Sequence, residues 1–169
     1  MVLLVTGGVV YPVLATLDKA NYFRDETTLN GIEWISRSYP NDYAALMWLG
    51  QNAPRNAVVL EAPGSGFAAY QYTGRFSALT GIPTLLGWGG HQSQWRGNYE
   101  EPARREPDID TIFNTLDPQT AQSLMDRYDV SFVVVGSLER ERYPASGLNK
   151  FGQFMTPVFQ SGDVIIYQR

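Results

Sequence analysis

Apolar residues along this chain fall into helical-period segments that alternate with short unbroken runs, and the alternation sets the predicted elements. Tyr43, Leu46, Met47 and Trp48 lie on one side of a helix that Asn41 or Asp42 can cap and that Pro54 stops. Ala57 to Ala62 follows as a short apolar strand interrupted only by Glu61, a pattern expected of burial on both faces. Asp117 directly before Pro118 marks a second helix start. Ala121, Leu124, Met125 and Tyr128 then recur at i, i+3, i+4 and i+7 and give that helix one apolar face. Val130 to Val135 is the strongest strand in the chain and is predicted to be central. Pro157 to Gln160 and Val164 to Gln168, joined by Ser161-Gly162-Asp163, read as a closing hairpin. Helices alternating with buried strands predict an α/β fold: a single three-layer Rossmann-like domain with a mostly parallel sheet and a C-terminal antiparallel hairpin.

The N-terminal stretch stands apart. Residues 1–17 carry no charged side chain, and the run is just short of the roughly 20 apolar residues that a membrane span needs. It reads as the end of a transmembrane helix, although Gly7, Gly8 and Pro12 also suit a buried strand and turn. A secretory leader would open on Lys or Arg, which this segment lacks. Residues 18–41 are polar with scattered aromatics and form a connector, with one helical turn expected near Gly31 to Ser36. Residues 42–169 are then the α/β domain.

Composition narrows the chemistry. With 169 residues and 44% apolar content, the chain supports one domain with a substantial core. A net charge of −4 and the lack of any basic run exclude a nucleic-acid surface. Having no cysteine and one histidine, the chain has no disulfide, no thiolate or multi-histidine metal site and no Cys nucleophile. No metal or cofactor is expected.

Two segments carry candidate chemistry. Gly64, Gly66 and Ala69 follow a strand at the spacing of a dinucleotide-binding G-x-G-x-x-A turn. A ribose-binding acid about 20 positions on is missing, because no Asp or Glu lies between Ala62 and Tyr99. No G-K-S or G-K-T follows either, so a P-loop is excluded and a tight turn is favoured. Between Glu61 and Glu100 the charged or near-neutral titrating residues are Arg75, His91 and Arg96, set among Tyr70, Tyr72, Trp88, Trp95 and Tyr99. Arginine forks match phosphate and carboxylate oxygens, and flat rings stack on sugars, so this cationic aromatic stretch suits an anionic or glycosylated ligand. His91 is the candidate general base. Glu139, Arg140 and Tyr143 follow the central strand, where α/β folds place ligand sites, and form a second candidate cluster.

The residues 75–88 (RFSALTGIPTLLGW), 91–97 (HQSQWRG), 135–140 (VGSLER) and 147–151 (GLNKF) resemble the C-terminal tail of the uncharacterised "YYY" family of multi-spanning membrane proteins. The resemblance runs from Tyr11 onward, and its G-W-x-x-H-x-x-Q-W-R-G segment is the specific part. That family is similar in layout to GT-C glycosyltransferases, including the catalytic subunit of oligosaccharyltransferase, in which membrane helices precede an extracytoplasmic α/β domain. The resemblance implies a domain on the extracytoplasmic side of a membrane, with the upstream transmembrane helices of the same protein and the membrane surface as its partners. It implies that Arg75, Trp88, His91, Gln94, Trp95 and Arg96, with Glu139, Arg140 and Tyr143, help bind a polyprenyl-phosphate-linked sugar or its acceptor. The isolated chain would then lack the full active site, because the catalytic acids of GT-C enzymes lie between early membrane helices. Where oligosaccharyltransferases carry W-W-D-Y-G, this chain has Glu61-Ala62-Pro63-Gly64-Ser65-Gly66, so the resemblance does not extend to peptide-acceptor recognition. The alternatives are a free-standing α/β enzyme or nucleotide-binding module using the Gly64–Ala69 loop and His91, and a purely structural cap over membrane helices.

Overall fold

The computed structural model describes residues 2–24 and 28–169, with side chains described at Val5 and from residue 8 onward. The chain divides into two compact units, Met1–Trp34 and Ile35–Arg169. In the first, α1 (Val2–Lys19) is an 18-residue helix with Pro12 inside it. Val9, Val10, Tyr11, Val13 and Leu14 are exposed on this helix. Among the described residues, no helix is long and apolar enough to cross a membrane. A single 3-10 turn follows at Asn21–Phe23, and α2 (Glu33–Ser38), which begins at the end of the first unit and lies mostly in the second, matches the helical turn expected near Gly31 to Ser36.

The second unit runs α3 (Pro40–Asn52), β1 (Val59–Leu60), α4 (Arg75–Thr80), α5 (Gly89–Arg96), α6 (Glu100–Asn114), α7 (Pro118–Arg127), β2 (Phe132–Val135), α8 (Ser137–Arg142), α9 (Ala145–Asn149), α10 (Phe151–Phe154), β3 (Thr156–Ser161) and β4 (Val164–Gln168). The sheet order is β1-β2-β4-β3. Only β1 and β2 are parallel; β2 with β4 and β3 with β4 are antiparallel. The expectation of a mostly parallel Rossmann-like sheet is therefore overturned, and the domain is a helix-rich mixed α/β fold around four short strands. The central place of β2 and the closing hairpin are as expected. β2 is buried along its whole length, and apolar residues at every position demand cover on both faces of the sheet but not parallel neighbours.

Alternation along β2 divides the core. Val133 and Val135 join Ile109, Ile112 and Phe113 of α6 and Ala121 and Met125 of α7 in one cluster. Phe132 and Val134 point to the other face of the sheet by the strand's two-residue period. On the sheet's β3–β4 side lies α3, where Trp48 tilts against Phe159 of β3 at 5.5 Å between ring centres. The hairpin turn is tied to the start of α3. Asn41 donates to Asp163 Oδ1 at 3.1 Å and accepts from the Ser161 hydroxyl at 3.2 Å. Gly162 takes φ +54 there, and a side chain in its place would strike the Asn41 amide.

Candidate functional site

The sheet end carries a buried ionic cluster assembled from four separated segments. Asp42 projects from the first turn of α3, Glu61 follows β1, Arg75 opens α4, and Glu139 lies in the first turn of α8. All four are at most 3% exposed. The Arg75 guanidinium donates through Nε to Asp42 Oδ2 at 2.7 Å and through Nη2 to Glu139 Oε2 at 3.1 Å. Glu139 also accepts the backbone N–H groups of Ala62 at 2.8 Å and Gly136 at 2.9 Å. Glu61 accepts those of Phe76 at 2.9 Å and Ser77 at 2.8 Å, and so caps α4. Tyr72 donates its hydroxyl to Asp42 Oδ2 at 2.9 Å.

Burial has opposite outcomes for the two glutamates. At Glu139 burial favours the neutral acid, but the Arg75 charge and the donated N–H groups outweigh it and hold the carboxyl below the usual range. At Glu61 burial dominates, with Arg75 and the helix N–H groups only partly offsetting it, and the carboxyl is pushed up. Every carboxylate in the cluster is committed to Arg75 or to backbone donors. Arg75 and Glu139 thus sit in the interior as a structural hub, and the ligand-facing candidates lie elsewhere.

Those lie on α5 and the loop before α4. Trp88 precedes α5, and its indole N–H is shared between the carbonyls of Thr73 at 2.5 Å and Gln71 at 3.1 Å. His91 lies edge-on to Trp88, to Tyr70 and, one turn later, to Trp95, with ring centres 6.1, 5.0 and 6.0 Å apart. Trp95 is 80% exposed and Tyr70 69% exposed, far beyond what packing requires of either ring. Tyr70 also holds φ +56, a left-handed conformation that costs a bulky residue about 1–3 kcal/mol. Gln94 and Arg96 are exposed on the same helix. The structure thus brings Trp88, His91 and Trp95 together as the G-W-x-x-H-x-x-Q-W-R-G segment led one to expect, and adds Tyr70.

The glycine turn has another use than phosphate binding. No helix follows it; β1 ends at Leu60 and α4 begins only at Arg75. The α4 N–H groups that would attract a phosphate are already taken by Glu61. Instead the Gly64–Ala69 loop supports α5. The Gly90 N–H donates to the Ala68 carbonyl at 3.0 Å, and the Tyr99 hydroxyl shares its one proton between Glu106 Oε1 at 2.5 Å and the Gly66 carbonyl at 2.8 Å. A side chain at Gly90 would collide with the Phe67 carbonyl, so Gly89-Gly90 is the close approach that seats α5 on the loop.

The second expected cluster disperses. Glu139 is in the buried hub, whereas exposed Arg140 donates to the Asp163 carbonyl at 3.3 Å through two nitrogens. Tyr143 is buried against Phe113, with ring centres 4.5 Å apart, and donates to Asp110 Oδ1 at 2.8 Å. Sequence reasoning missed Asp42 as a partner of Arg75 and Glu61 as the cap of α4. The one available signal was a lone acid inside each apolar segment, since a carboxylate in a buried run must meet a cation or N–H donors. Among the described residues no group of His, Asp and Glu is arranged to hold a metal.

No family model matches the chain, and no curated protein matches it. Among solved structures it is similar to the C-terminal globular domain of an oligosaccharyltransferase from Archaeoglobus fulgidus. The likeness has a TM-score of 0.49 and 12% identity and covers 85% of this chain and 99% of that one.

Proposed function

We propose that this chain is a globular domain of a membrane glycosyltransferase-like protein, on the extracytoplasmic side, whose α5 face holds a polyprenyl-phosphate-linked sugar or its acceptor. The observation that carries the reading is the ring cluster of His91 and Trp95 on α5, which ends in Arg96, with Trp88 just before that helix and Tyr70 from the preceding loop, the Tyr70 and Trp95 rings being largely exposed. Rings stack on sugar C–H faces and on isoprenoid chains, and the Arg96 fork offers paired donors to a phosphate. No Asp or Glu occurs between Glu61 and Glu100 in the sequence, and the carboxylate of Glu101 lies within electrostatic reach of Arg96. The exposed apolar residues of α1 agree with its being the end of a membrane span that joins this domain to upstream helices.

The domain binds rather than reacts in this reading. Its buried carboxylates are bound to Arg75 and to helix N–H groups, leaving none poised as an acid–base pair. Titrating the chain with a short polyprenyl-phosphate-linked hexose in detergent micelles, followed by tryptophan fluorescence, tests the proposal. Saturable quenching that is lost in Trp95→Ala and Arg96→Ala supports it, and a flat titration or turnover of a soluble substrate by this chain alone sinks it.

A further inference from the structure

Between α4, the Ile82–Thr84 segment and the start of α5 lies a groove of about 330 Å³, at the small end of small-molecule pockets. Ser77, Ala78, Thr84, Trp88, His91 and Gln92 line it, and no Asp, Glu, Lys or Arg does. Its walls are fixed. Val59 pairs with Thr84 as a parallel bridge, with the Val59 N–H donating to the Pro83 carbonyl at 2.9 Å. The Trp88 ring is pinned by its shared indole N–H, and Gly74 and Gly81 flank α4 at φ +77 and +76. At Gly74 a side chain would press on Gly87 and the Trp88 indole, each 3.4 Å away, so the floor stays bare.

Two polar atoms of lining residues stand out. Thr84 Oγ1 and His91 Nδ1 are buried without a hydrogen-bond partner among the described residues. A buried polar atom left so costs about 1–3 kcal/mol, so such atoms point to a ligand or water that pairs them. The combination is an uncharged groove with one aromatic wall, a bare glycine floor and hydroxyl, imidazole and amide groups around it.

We propose that this groove is a monosaccharide subsite that takes one neutral pyranose ring. The ring's C–H face lies on Trp88, and rotation of the Thr84 and His91 side chains, whose Oγ1 and Nδ1 are closed off from the groove in this conformation, brings both atoms onto its hydroxyls. The inference rests on the phosphosugar reading above and assigns the sugar to the neutral groove, leaving the phosphate to exposed Arg96.

Saturation-transfer NMR of the whole chain with a panel of methyl hexopyranosides tests it. The expected result is binding of at least one glycoside, weakened about threefold to tenfold in Thr84→Val by loss of one hydrogen bond. Ala78→Trp, which fills the groove from an exposed position, abolishes that binding, and Asp117→Ala, which removes a distant helix cap, leaves it unchanged. Failure of every glycoside to bind, or binding that survives Ala78→Trp, overturns the groove assignment. Running the polyprenyl-phosphate hexose titration on the same samples separates the two ideas. Groove failure with intact titration leaves the α5 face standing, whereas loss of both removes the reading itself.

Discussion

Asp42 Oδ2 accepts the Arg75 Nε–H at 2.7 Å across 33 residues of sequence, with the two side chains 3% and 0% exposed. This pair, extended to Glu139, joins α3, α4 and α8 beside the sheet. Removing one member leaves a buried charge uncompensated. Arg75→Met should therefore lower unfolding stability by about 3–5 kcal/mol, read as a reduced urea midpoint. Arg75→Lys should recover little of it, since an ammonium cannot reach Asp42 and Glu139 in the fork geometry.

Glu139 makes that loss pH-dependent. Its folded carboxyl titrates below the ordinary value of 4.5, so its contribution is present above pH 4.5 and fades as pH falls toward the folded value. Glu139→Gln should be less stable than the parent at pH 7 and should lose less on going from pH 5 to pH 3. Chemical denaturation at both ends checks this, and parallel slopes would deny the effect.

Lys150 gives the opposite limb. Its ammonium is buried against the carbonyls of Phe113 at 3.3 Å and Gly147 at 2.5 Å, and burial lowers its pKa from 10.5 to about 8. The unfolded chain then binds more protons between about pH 8 and 10.5, so stability rises with pH over that window. Urea midpoints of the parent should climb from pH 8 to 9.5, and those of Lys150→Met should stay flat.

Two glycines separate close approach from mere flexibility. Gly50 lies in α3 with its nearest neighbour 4.0 Å from an added Cβ, so Gly50→Ala should stabilise by about 0.5–1 kcal/mol. At Gly90 the added Cβ would meet the Phe67 carbonyl oxygen at 2.1 Å. Gly90→Ala should cost about 1–3 kcal/mol and alter the near-ultraviolet signal of Trp88 and Trp95, because α5 must lift off the loop.

Elements with one strong local signal were legible in the sequence. Asp117 caps α7 as its position before Pro118 predicts, accepting from Gln119 and Thr120 N–H groups at 3.1 and 3.0 Å. The hairpin and β2 also follow from their runs. By contrast α6 went unread, because Pro102, Pro107 and a dense run of charges hide the face formed by Ile109, Ile112 and Phe113. Sheet direction was illegible because β1 and β2 carry the same apolar signature whether their neighbours run parallel or not. At the site, Trp88, His91 and Trp95 were visible as a motif, and Arg75 and Glu139 as charges. That the latter two face each other in the core is set by long-range packing that no local spacing encodes.

The α5 face is tested most directly by titrating polyprenyl-phosphate-linked hexose into the parent, a Trp95→Ala/Arg96→Ala double variant and an Asp117→Ala control. Asp117→Ala loses a distant helix cap worth about 0.5–2 kcal/mol and so reports destabilisation alone. Saturable binding by the parent and the control, with at least tenfold weaker binding by the double variant, is the predicted result. Equal binding by all three, or none by the parent, would contradict the account.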